Sequence, residues 1–370
     1  MTQGAGAPGD TTGDNAQGSI RVGLIGYGLA GAAFHAPLID AVPQLRLAAI
    51  VTSHHERQQE ARNAHPGAAI LETAMQLWDL AADLDVVVIA SPNRTHVPLA
   101  LAALEAGLHV VVDKPLASTA AEGRQLIQEA RRRARMLTVF QNRRWDGDFL
   151  TLRALLREGA LGAPFRFESR FERWRPVRTT GWRELGAPEE AGGLLYDLGS
   201  HLIDQALLLF GRADQVYAEL DTRRPAAEID DDVFVALTHV SGVRSHLFMS
   251  AVAGQLGPRM RVLGSQATYV KFGLDVQEAA LRRDRRFEPA GWGEEPPASW
   301  GYIGAGEDVR PIRTQAGQYQ RFYEGVVEML GGGACPVDPK DAIAVLEVIE
   351  AARLSTAERR VVTLPLAQSA

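Results

Sequence analysis

The sequence predicts a two-domain α/β protein. An N-terminal doubly wound parallel sheet is followed by an α+β domain with a large open, mainly antiparallel sheet. Up to residue 142, Val-rich apolar runs alternate with helical segments, as expected for parallel strands buried on both faces. From about residue 163 the strand-like runs alternate apolar and polar residues, which is typical of an antiparallel sheet with one covered face. The 370 residues also exceed what one hydrophobic core usually supports.

We expect four segments along the chain. Residues 1–18 are rich in Gly, Ala, Thr and Asp, lack the basic and apolar parts of a signal peptide, and are interpreted as a disordered tail. Residues 19–142 form the expected nucleotide-binding domain, and residues 143–345 the substrate-binding and oligomerisation domain. Residues 346–370 are expected to be a C-terminal helix and tail that brace the first domain.

The composition excludes several classes of function. A net charge of −6 argues against a general affinity for nucleic acid or anionic membranes, and no run of about 18 apolar residues predicts a membrane span. The single cysteine, Cys335, excludes a disulfide within the chain and fits a cytoplasmic location. The histidines lack ligand spacing, so no metal is expected.

The first strand leads into a glycine-rich loop, Gly26-Tyr27-Gly28-Leu29-Ala30-Gly31, and then into an apolar helix. Gly26 permits a tight turn, Gly28 lets a pyrophosphate approach the backbone, and Gly31 lets the helix pack closely on the strand. The triplet predicts a Rossmann dinucleotide site at a helix N-terminus. The alternative is a glycine-rich turn in another kind of α/β unit.

The end of the second strand, Leu45–Val51, favours NADP as the cofactor. An NAD site usually has Asp or Glu there, but this chain continues Thr52-Ser53-His54-His55-Glu56-Arg57. The Thr removes a carboxylate that would repel a 2′-phosphate, while Thr52, Ser53 and Arg57 supply donors that could hold it. Alternatively these residues are the solvated start of the next helix, and Glu56 keeps NAD open.

Three later strands end in polar residues. Because ligands lie at the carboxyl ends of parallel strands, these loops should meet at the cofactor: Ser91-Pro92-Asn93, Asp113-Lys114-Pro115 and Gln141-Asn142-Arg143. Lys114 is expected near the nicotinamide. From the residues alone, an exposed loop lysine paired with Asp113 is an equal alternative.

The segment 192–211 predicts a helix with one polar stripe, formed by Asp197, Ser200, His201, Asp204 and Gln205. No Lys, Arg or Glu lies between Leu194 and Phe210. Short acceptors and an imidazole suit the wall of a cleft better than a solvated face. Asp204 and Gln205 either contact the substrate or only continue the stripe into water.

Other residues of the second domain are candidates for binding a sugar-sized substrate. Trp145, Arg170 and Trp182 could line such a pocket, although both tryptophans could equally serve in packing. The uncovered face of the antiparallel sheet is expected to meet a copy of itself, giving a homo-oligomer, either a dimer or a tetramer. Residues 318–329 and 339–356 are expected to be helices that return to the first domain.

From residue 20 to residue 364 the chain resembles the Gfo/Idh/MocA (glucose–fructose oxidoreductase/inositol dehydrogenase) family. The resemblance lies in "GYGLAG", "SPNRTH", "DKP", "NRRWDGDFLTL", "GGLLYDLGSHLIDQAL" and "GQYQRFYEGV", and it is strongest toward the NADP-dependent scyllo-inositol dehydrogenase branch. It implies that His96 and Asn142 join the cofactor-binding residues. The family's Glu-Lys-Pro motif appears here as Asp113-Lys114-Pro115, with a shorter acid.

The resemblance also implies a catalytic triad of Lys114, Asp197 and His201, which would also touch the substrate. We expect an NAD(P)-dependent dehydrogenase that acts on a polyol or sugar. His201 would act as general acid/base, Lys114 would stabilise the alkoxide, and Asp197 would orient the imidazole or bind a substrate hydroxyl. The alternatives are an imine or dihydrodiol reductase on the same fold, or a non-catalytic nucleotide-sensing protein.

Overall fold

The computed structural model describes residues 18–178, 184, 186 and 190–365. The first domain contains a sheet of six parallel strands in the order β3-β2-β1-β4-β5-β6. These strands are β1 (Ile20–Ile25), β2 (Leu45–Val51), β3 (Ala69–Leu71), β4 (Val86–Ile89), β5 (His109–Asp113) and β6 (Leu137–Phe140). The strand order reverses between β1 and β4, and ligands of doubly wound sheets bind at this point.

Helices cover both faces of this parallel sheet. A π-helical turn, Gly31–His35, continues into α1 (Ala36–Asp40), and the remaining helices are α2 (His55–Ala64), α3 (Ala74–Trp78), α4 (His96–Glu105) and α5 (Ala120–Arg132). Thr73 and Thr119 begin α3 and α5 with capping boxes, in which the Thr side chain accepts the N3 amide. The valines of β4 and β5 are fully buried, in agreement with their lack of polar alternation.

The second domain contains a nine-stranded sheet in the order β14-β13-β12-β11-β7-β10-β9-β8-β15. Every neighbouring pair is antiparallel except β7 and β10, which are parallel. The strands are β7 (Pro164–Glu172), β8 (Ala213–Asp221), β9 (Asp232–His239), β10 (Arg244–Ser250), β11 (Met260–Gly264), β12 (Thr268–Lys271), β13 (Gly301–Ala305), β14 (Asp308–Ile312) and β15 (Val362–Thr363). Together the two sheets confirm the predicted fold class.

Side chains of β7 point alternately to the two faces of the sheet, and their burial shows which face is covered. Phe167, Ser169 and Phe171 are fully buried beneath the helical layer, which includes α6 (Gly147–Arg157) and α7 (Ser200–Phe210). Arg170 projects to the opposite face, where its guanidinium lies 4.4 Å from the centroid of the Phe248 ring. Oligomerisation through this open face stays a prediction.

The last two long helices join the domains. Helix α8 (Gln277–Asp284) precedes them, followed by α9 (Gln320–Leu330) and α10 (Pro339–Glu358). Glu350 of α10 accepts a hydrogen bond from the Ala120 amide at 2.8 Å, and Ser355 accepts one from the Ala218 amide at 3.0 Å. Helix α10 therefore braces α5 of the first domain against β8 of the second, and it begins earlier than residue 346.

Among the described residues, no helix is both long and apolar enough to cross a bilayer.

Candidate active site

The three glycines of the first loop have different surroundings. A Cβ on Gly26, whose φ is +99°, would lie 2.6 Å from the carbonyl oxygen of Ala90, and one on Gly31 would lie 1.9 Å from that of Gly26. Any side chain at these two positions would therefore displace backbone. At Gly28 the nearest atom would be 3.7 Å away, on the Arg57 guanidinium. The open approach over Gly28 suits a dinucleotide pyrophosphate, so the loop fits the cofactor that its sequence predicts.

A groove of about 660 Å³ runs along the carboxyl edge of the parallel sheet. Most of the predicted cofactor residues line it: Gly26, Tyr27, Gly28, Leu29, Ala30, Thr52, Ser53, Arg57, Ser91, Pro92, Asn93, Asp113 and Lys114. No carboxylate follows β2 directly, because Thr52 and Ser53 occupy that place. The only acids along the described lining are Glu72 and Asp113.

His96 and Asn142 lie outside this groove. His96 is almost fully buried, and its ring nitrogens lie 2.8 Å from the carbonyl oxygen of Pro115 and 2.9 Å from that of Ser91. His96 therefore links the loops that follow β4 and β5, although it does not line the groove itself. Asn142 lines the neighbouring cavity instead.

Asp113 is held by the turn that follows β5. Its Oδ1 accepts a 2.7 Å hydrogen bond from the Lys114 amide, and its Oδ2 lies 3.8 Å from Nε2 of the buried His35. Burial alone would raise the pKa of Asp113, but the neighbouring His35 and the charge of Lys114 lower it overall. The shorter acid of this motif thus stabilises the loop that carries Lys114.

Lys114 reaches from the first domain to the second. Its Nζ donates to the backbone oxygen of Asp197 at 2.6 Å and to Oδ1 of the same residue at 2.9 Å. The lysine side chain is 14% exposed and the aspartate 28%, so solvent screens the pair only partly. The contact holds the ammonium at the mouth of the interdomain cleft.

Asp197 lies in a π-helical turn, Leu195–Gly199, that leads into α7. Asp230 fixes the start of this turn by accepting the Leu195 amide at 2.8 Å. A Cβ on Gly193, whose φ is +88°, would lie 2.3 Å from that carboxylate. Asp230 comes from the end of a loop more than thirty residues away, and nothing in its local sequence indicates this role.

His201 lies one residue into α7 and is only 6% exposed. Its Nδ1 is buried without a hydrogen-bond partner among the described residues, so Nε2 is the nitrogen left to face the cavity. The pKa of His201 is well below the ordinary 6.5, first because burial disfavours the charged ring. Nearby cations lower it further, and these are Lys114, Arg143, Arg259 and Arg173.

Both members of the expected Asp197–His201 pair line the cavity, but no hydrogen bond joins these two described residues. The wider π turn, whose hydrogen bonds run from i to i+5, removes Asp197 from the regular helical face. The carboxylate instead holds the ammonium of Lys114. The orientation of the imidazole by Asp197 stays a prediction, and the contact that the structure describes for this carboxylate is the one with Lys114.

The rest of the polar stripe faces protein. Asp204 accepts two hydrogen bonds from the Arg144 guanidinium, at 2.8 and 2.6 Å. Gln205 donates to the backbone oxygen of Arg143 and accepts from Arg259, both at 2.9 Å. Asp204 and Gln205 are almost fully buried, so neither contacts water or substrate in this arrangement. They stabilise the turn that carries Arg143.

A second cavity, of about 260 Å³, adjoins the cofactor groove at Leu29, Ala30, Asp113 and Lys114. Its polar lining includes Arg143, which belongs to the strand-end loop predicted after β6. Four further polar residues of the lining were not predicted from the sequence: Arg173, Arg175, Glu278 and Arg282. These four come from the end of β7 and from α8, which only tertiary structure brings to this cavity.

Two expected substrate residues do not line this cavity. The Trp145 ring packs edge-on against Phe322, 5.9 Å between centroids, and is half-buried in the core. Arg170 forms ion pairs with Glu168 and Glu172 on the open sheet face, because alternation along β7 directs it away from the cleft. Trp182 lies outside the described residues.

Comparisons with known proteins cover nearly the whole chain. Residues 20–141 match the family model described as "Oxidoreductase family, NAD-binding Rossmann fold", and residues 149–270 match "GFO/IDH/MocA C-terminal domain". The oxidoreductase YdgJ of Escherichia coli (strain K12) is 41% identical over 90% of this chain and 95% of its own length. The scyllo-inositol 2-dehydrogenase (NADP(+)) IolW of Bacillus subtilis (strain 168) is 34% identical over 94% of this chain and 96% of its own.

Solved structures agree with this similarity. An oxidoreductase structure from Bacillus subtilis, yvaA, has a TM-score of 0.88 and 35% identity over 94% of this chain and 99% of its own. One from Yersinia pestis, YPO2259, also has a TM-score of 0.88, with 37% identity over 95% and 99% of the two chains. Both domains, and the way they pack together, are therefore shared with known oxidoreductases.

Proposed function

The chain belongs to the GFO/IDH/MocA family of NAD(P)-dependent oxidoreductases, which confirms the resemblance of its motifs, and from this premise we propose a specific reaction. We propose that the protein interconverts a secondary hydroxyl and a ketone on a cyclic polyol or sugar, such as an inositol, and prefers NADP. One observation carries the proposal. A fixed ammonium, Lys114, and a neutral buried imidazole, His201, line the same cavity where the cofactor groove opens into it.

The preference for NADP is supported by the end of β2. Thr52 stands where a carboxylate would repel a 2′-phosphate, and Arg57 lines the groove near Gly28. The 34% identical relative from Bacillus subtilis is named for NADP(+). These features together favour a phosphorylated ribose at this position.

Each of three residues of the cavity has its own role in the proposed oxidation. A nicotinamide bound in the groove would supply the hydride acceptor for alcohol oxidation. Nε2 of His201 accepts the hydroxyl proton, and the Lys114 ammonium stabilises the negative charge that develops on the same oxygen. Asp197 holds Nζ of Lys114 in place through two hydrogen bonds.

The lowered pKa of His201 favours oxidation of the alcohol. At neutral pH the ring is in its neutral form, which can accept a proton, and a protonated ring would be needed to donate one to a ketone. The ring becomes protonated after taking the substrate proton. Direction in the cell still depends on substrate concentrations.

The test is a screen of cyclitols and aldoses with NADP and NAD, followed by nicotinamide absorbance at 340 nm. We expect oxidation of at least one inositol or pyranose, with a lower KM for NADP. NAD binding at least about ten times more tightly than NADP, a difference of about 1.4 kcal/mol, would contradict the cofactor assignment. No turnover of any ring with either cofactor would favour a nucleotide-sensing protein instead.

A further inference from the structure

The second cavity has an excess of positive charge although the whole protein has a net charge of −6. Among the described residues, five cationic side chains and three carboxylates line it. His201 adds no charge at neutral pH because its pKa is lowered. An uncharged polyol would not need such an imbalance.

Each of the three carboxylates already interacts with a neighbouring donor or cation. Asp197 pairs with Lys114 at 2.9 Å. Glu278 is shared by two guanidiniums, since it forms an ion pair with Arg143 and another, at 3.2 Å, with Arg282. Asp113 faces the Lys114 amide and His35.

Two arginines remain without a carboxylate partner. Among the described residues, neither Arg173 nor Arg175 forms an ion pair or a side-chain hydrogen bond. The Arg173 guanidinium lies over the Phe171 ring, 4.8 Å from its centroid. Their backbones are nevertheless fixed, because their amides donate to the carbonyl oxygens of Ser250 at 2.8 Å and Ala251 at 2.7 Å. Partial burial lowers the pKa of Arg173; the charges of Glu278 and Asp197 oppose this, and those of Arg175 and Arg143 add to it.

Such a pair of guanidiniums is suited to bind an anion. Arg173 is half-buried and Arg175 is exposed at the cavity, and an arginine keeps its charge, so an anion bound between them would reduce their mutual repulsion. The pair does not line the cofactor groove, so the cofactor phosphates are not that partner. A smaller cavity of about 120 Å³ also touches Arg173 and Arg175; of the carboxylates in its described lining, Glu184 pairs with Arg224, Asp230 with the Leu195 amide and Asp197 with Lys114.

We propose that Arg173 and Arg175 bind a carboxylate or phosphate group of the substrate, whose ring hydroxyl is oxidised at Lys114 and His201. This inference rests on the proposed function and narrows its substrate class to anionic sugars or cyclitols. Planar guanidiniums hold either group through paired, charge-assisted hydrogen bonds. The pair thus selects the substrate and turns it so that the reacting hydroxyl faces His201.

The test compares neutral and anionic forms of the same ring with saturating NADP. The substrates are D-glucose, D-glucuronate and D-glucose 6-phosphate, and myo-inositol with its monophosphate. We expect kcat/KM for one anionic form to exceed that of its neutral parent by about tenfold or more, as charged hydrogen bonds imply. The carboxylate and phosphate arms identify which anion the site prefers.

Variants then assign the effect to the pair. Arg173→Gln and Arg175→Gln should each raise KM for the preferred anionic substrate by about tenfold, and Arg173→Lys should retain part of the affinity. The ratio of kcat/KM for the anionic substrate to kcat/KM for its neutral parent should fall about tenfold, while KM for NADP stays within about threefold of the wild type. Arg131→Gln is the matched control, because Arg131 is exposed on α5 and does not line the cavity.

The outcomes separate this inference from the proposed function. If neutral rings are oxidised as efficiently as anionic ones, or if both Gln variants keep the wild-type KM, the anion site is wrong and the dehydrogenase stands. If no ring of either kind is oxidised, both proposals fall. Calorimetric titration of D-glucuronate into the NADP-loaded protein checks binding directly, and equal affinities for wild type and Arg173→Gln would also overturn the anion site.

Discussion

Replacing Lys114 with Met tests the proposed chemistry most directly. The substitution removes the ammonium while keeping most of the length and apolar volume of the side chain. It deletes the hydrogen bonds of 2.6 and 2.9 Å to Asp197, so both the charge and its fixed position are lost. His201 remains in place because it makes no hydrogen bond to Lys114.

The expected loss follows from the role of the ammonium. Removing one preorganised donor to a developing oxyanion lowers kcat by about 10²–10³, and Lys114 also contributes a full charge in a poorly solvated site. We therefore expect kcat to fall about 10³-fold. Lys114 is the charge that depresses the pKa of His201 most, so the variant should also show a higher pKa on the acid side of its pH profile.

The assay is NADPH formation with the best substrate of the screen, measured from pH 5 to pH 9. Lys340→Met is the matched control, because Lys340 is exposed near the start of α10 and should leave both kcat and the pH profile unchanged. Circular dichroism establishes that both variants are folded. Wild-type turnover in Lys114→Met, or reduced turnover with an unshifted pH profile, would refute the reasoning.

Three further predictions concern His201, the cofactor and the buried ion pairs. Since the pKa of His201 is well below 6.5, kcat/KM for oxidation should stay constant through pH 6.5 and decline only at more acid pH; a midpoint at or above 6.5 contradicts this. Thr52→Asp should raise KM for NADP at least about tenfold without raising KM for NAD, and unchanged KM ratios count against a 2′-phosphate at this position. Asp204→Ala leaves the Arg144 guanidinium buried without its main partner and should lower the free energy of unfolding in urea by about 3 kcal/mol. Asp79→Ala, an exposed control, should change it little, and equal losses would contradict a special role for the pair.

Much of the cofactor site is predictable because its determinants are local. The clash that a Cβ would make at Gly31 involves Gly26, only five residues away. The strand ends that carry Thr52 and Lys114 follow from apolar runs that can be read directly from the sequence. Two predicted cofactor residues miss the groove: His96 belongs to a motif whose Ser91, Pro92 and Asn93 line it, whereas Asn142 lines the neighbouring cavity.

The contacts of the polar stripe of α7 could not be predicted from the local sequence. Its five residues have the same helical spacing in the sequence, but Asp197 contacts Lys114, His201 faces the cavity, and Asp204 pairs with Arg144. The partner of each residue depends on segments that are distant in the sequence and are brought close by the fold. Periodicity predicts a shared face but not the atoms packed against it.

The sequence by itself determined the two-sheet architecture, the glycine loop and the residues at the ends of the parallel strands, because hydrophobic periodicity and backbone sterics act over short distances. Only the tertiary structure decided the charge of the substrate cavity. Arg170 and Arg173 lie three residues apart, yet the first projects to the open sheet face and the second lines the cavity. Strand alternation and the end of β7 separate them: Arg170 pairs with Glu168 and Glu172 of its own strand, whereas the cavity around Arg173 is completed by residues of distant segments.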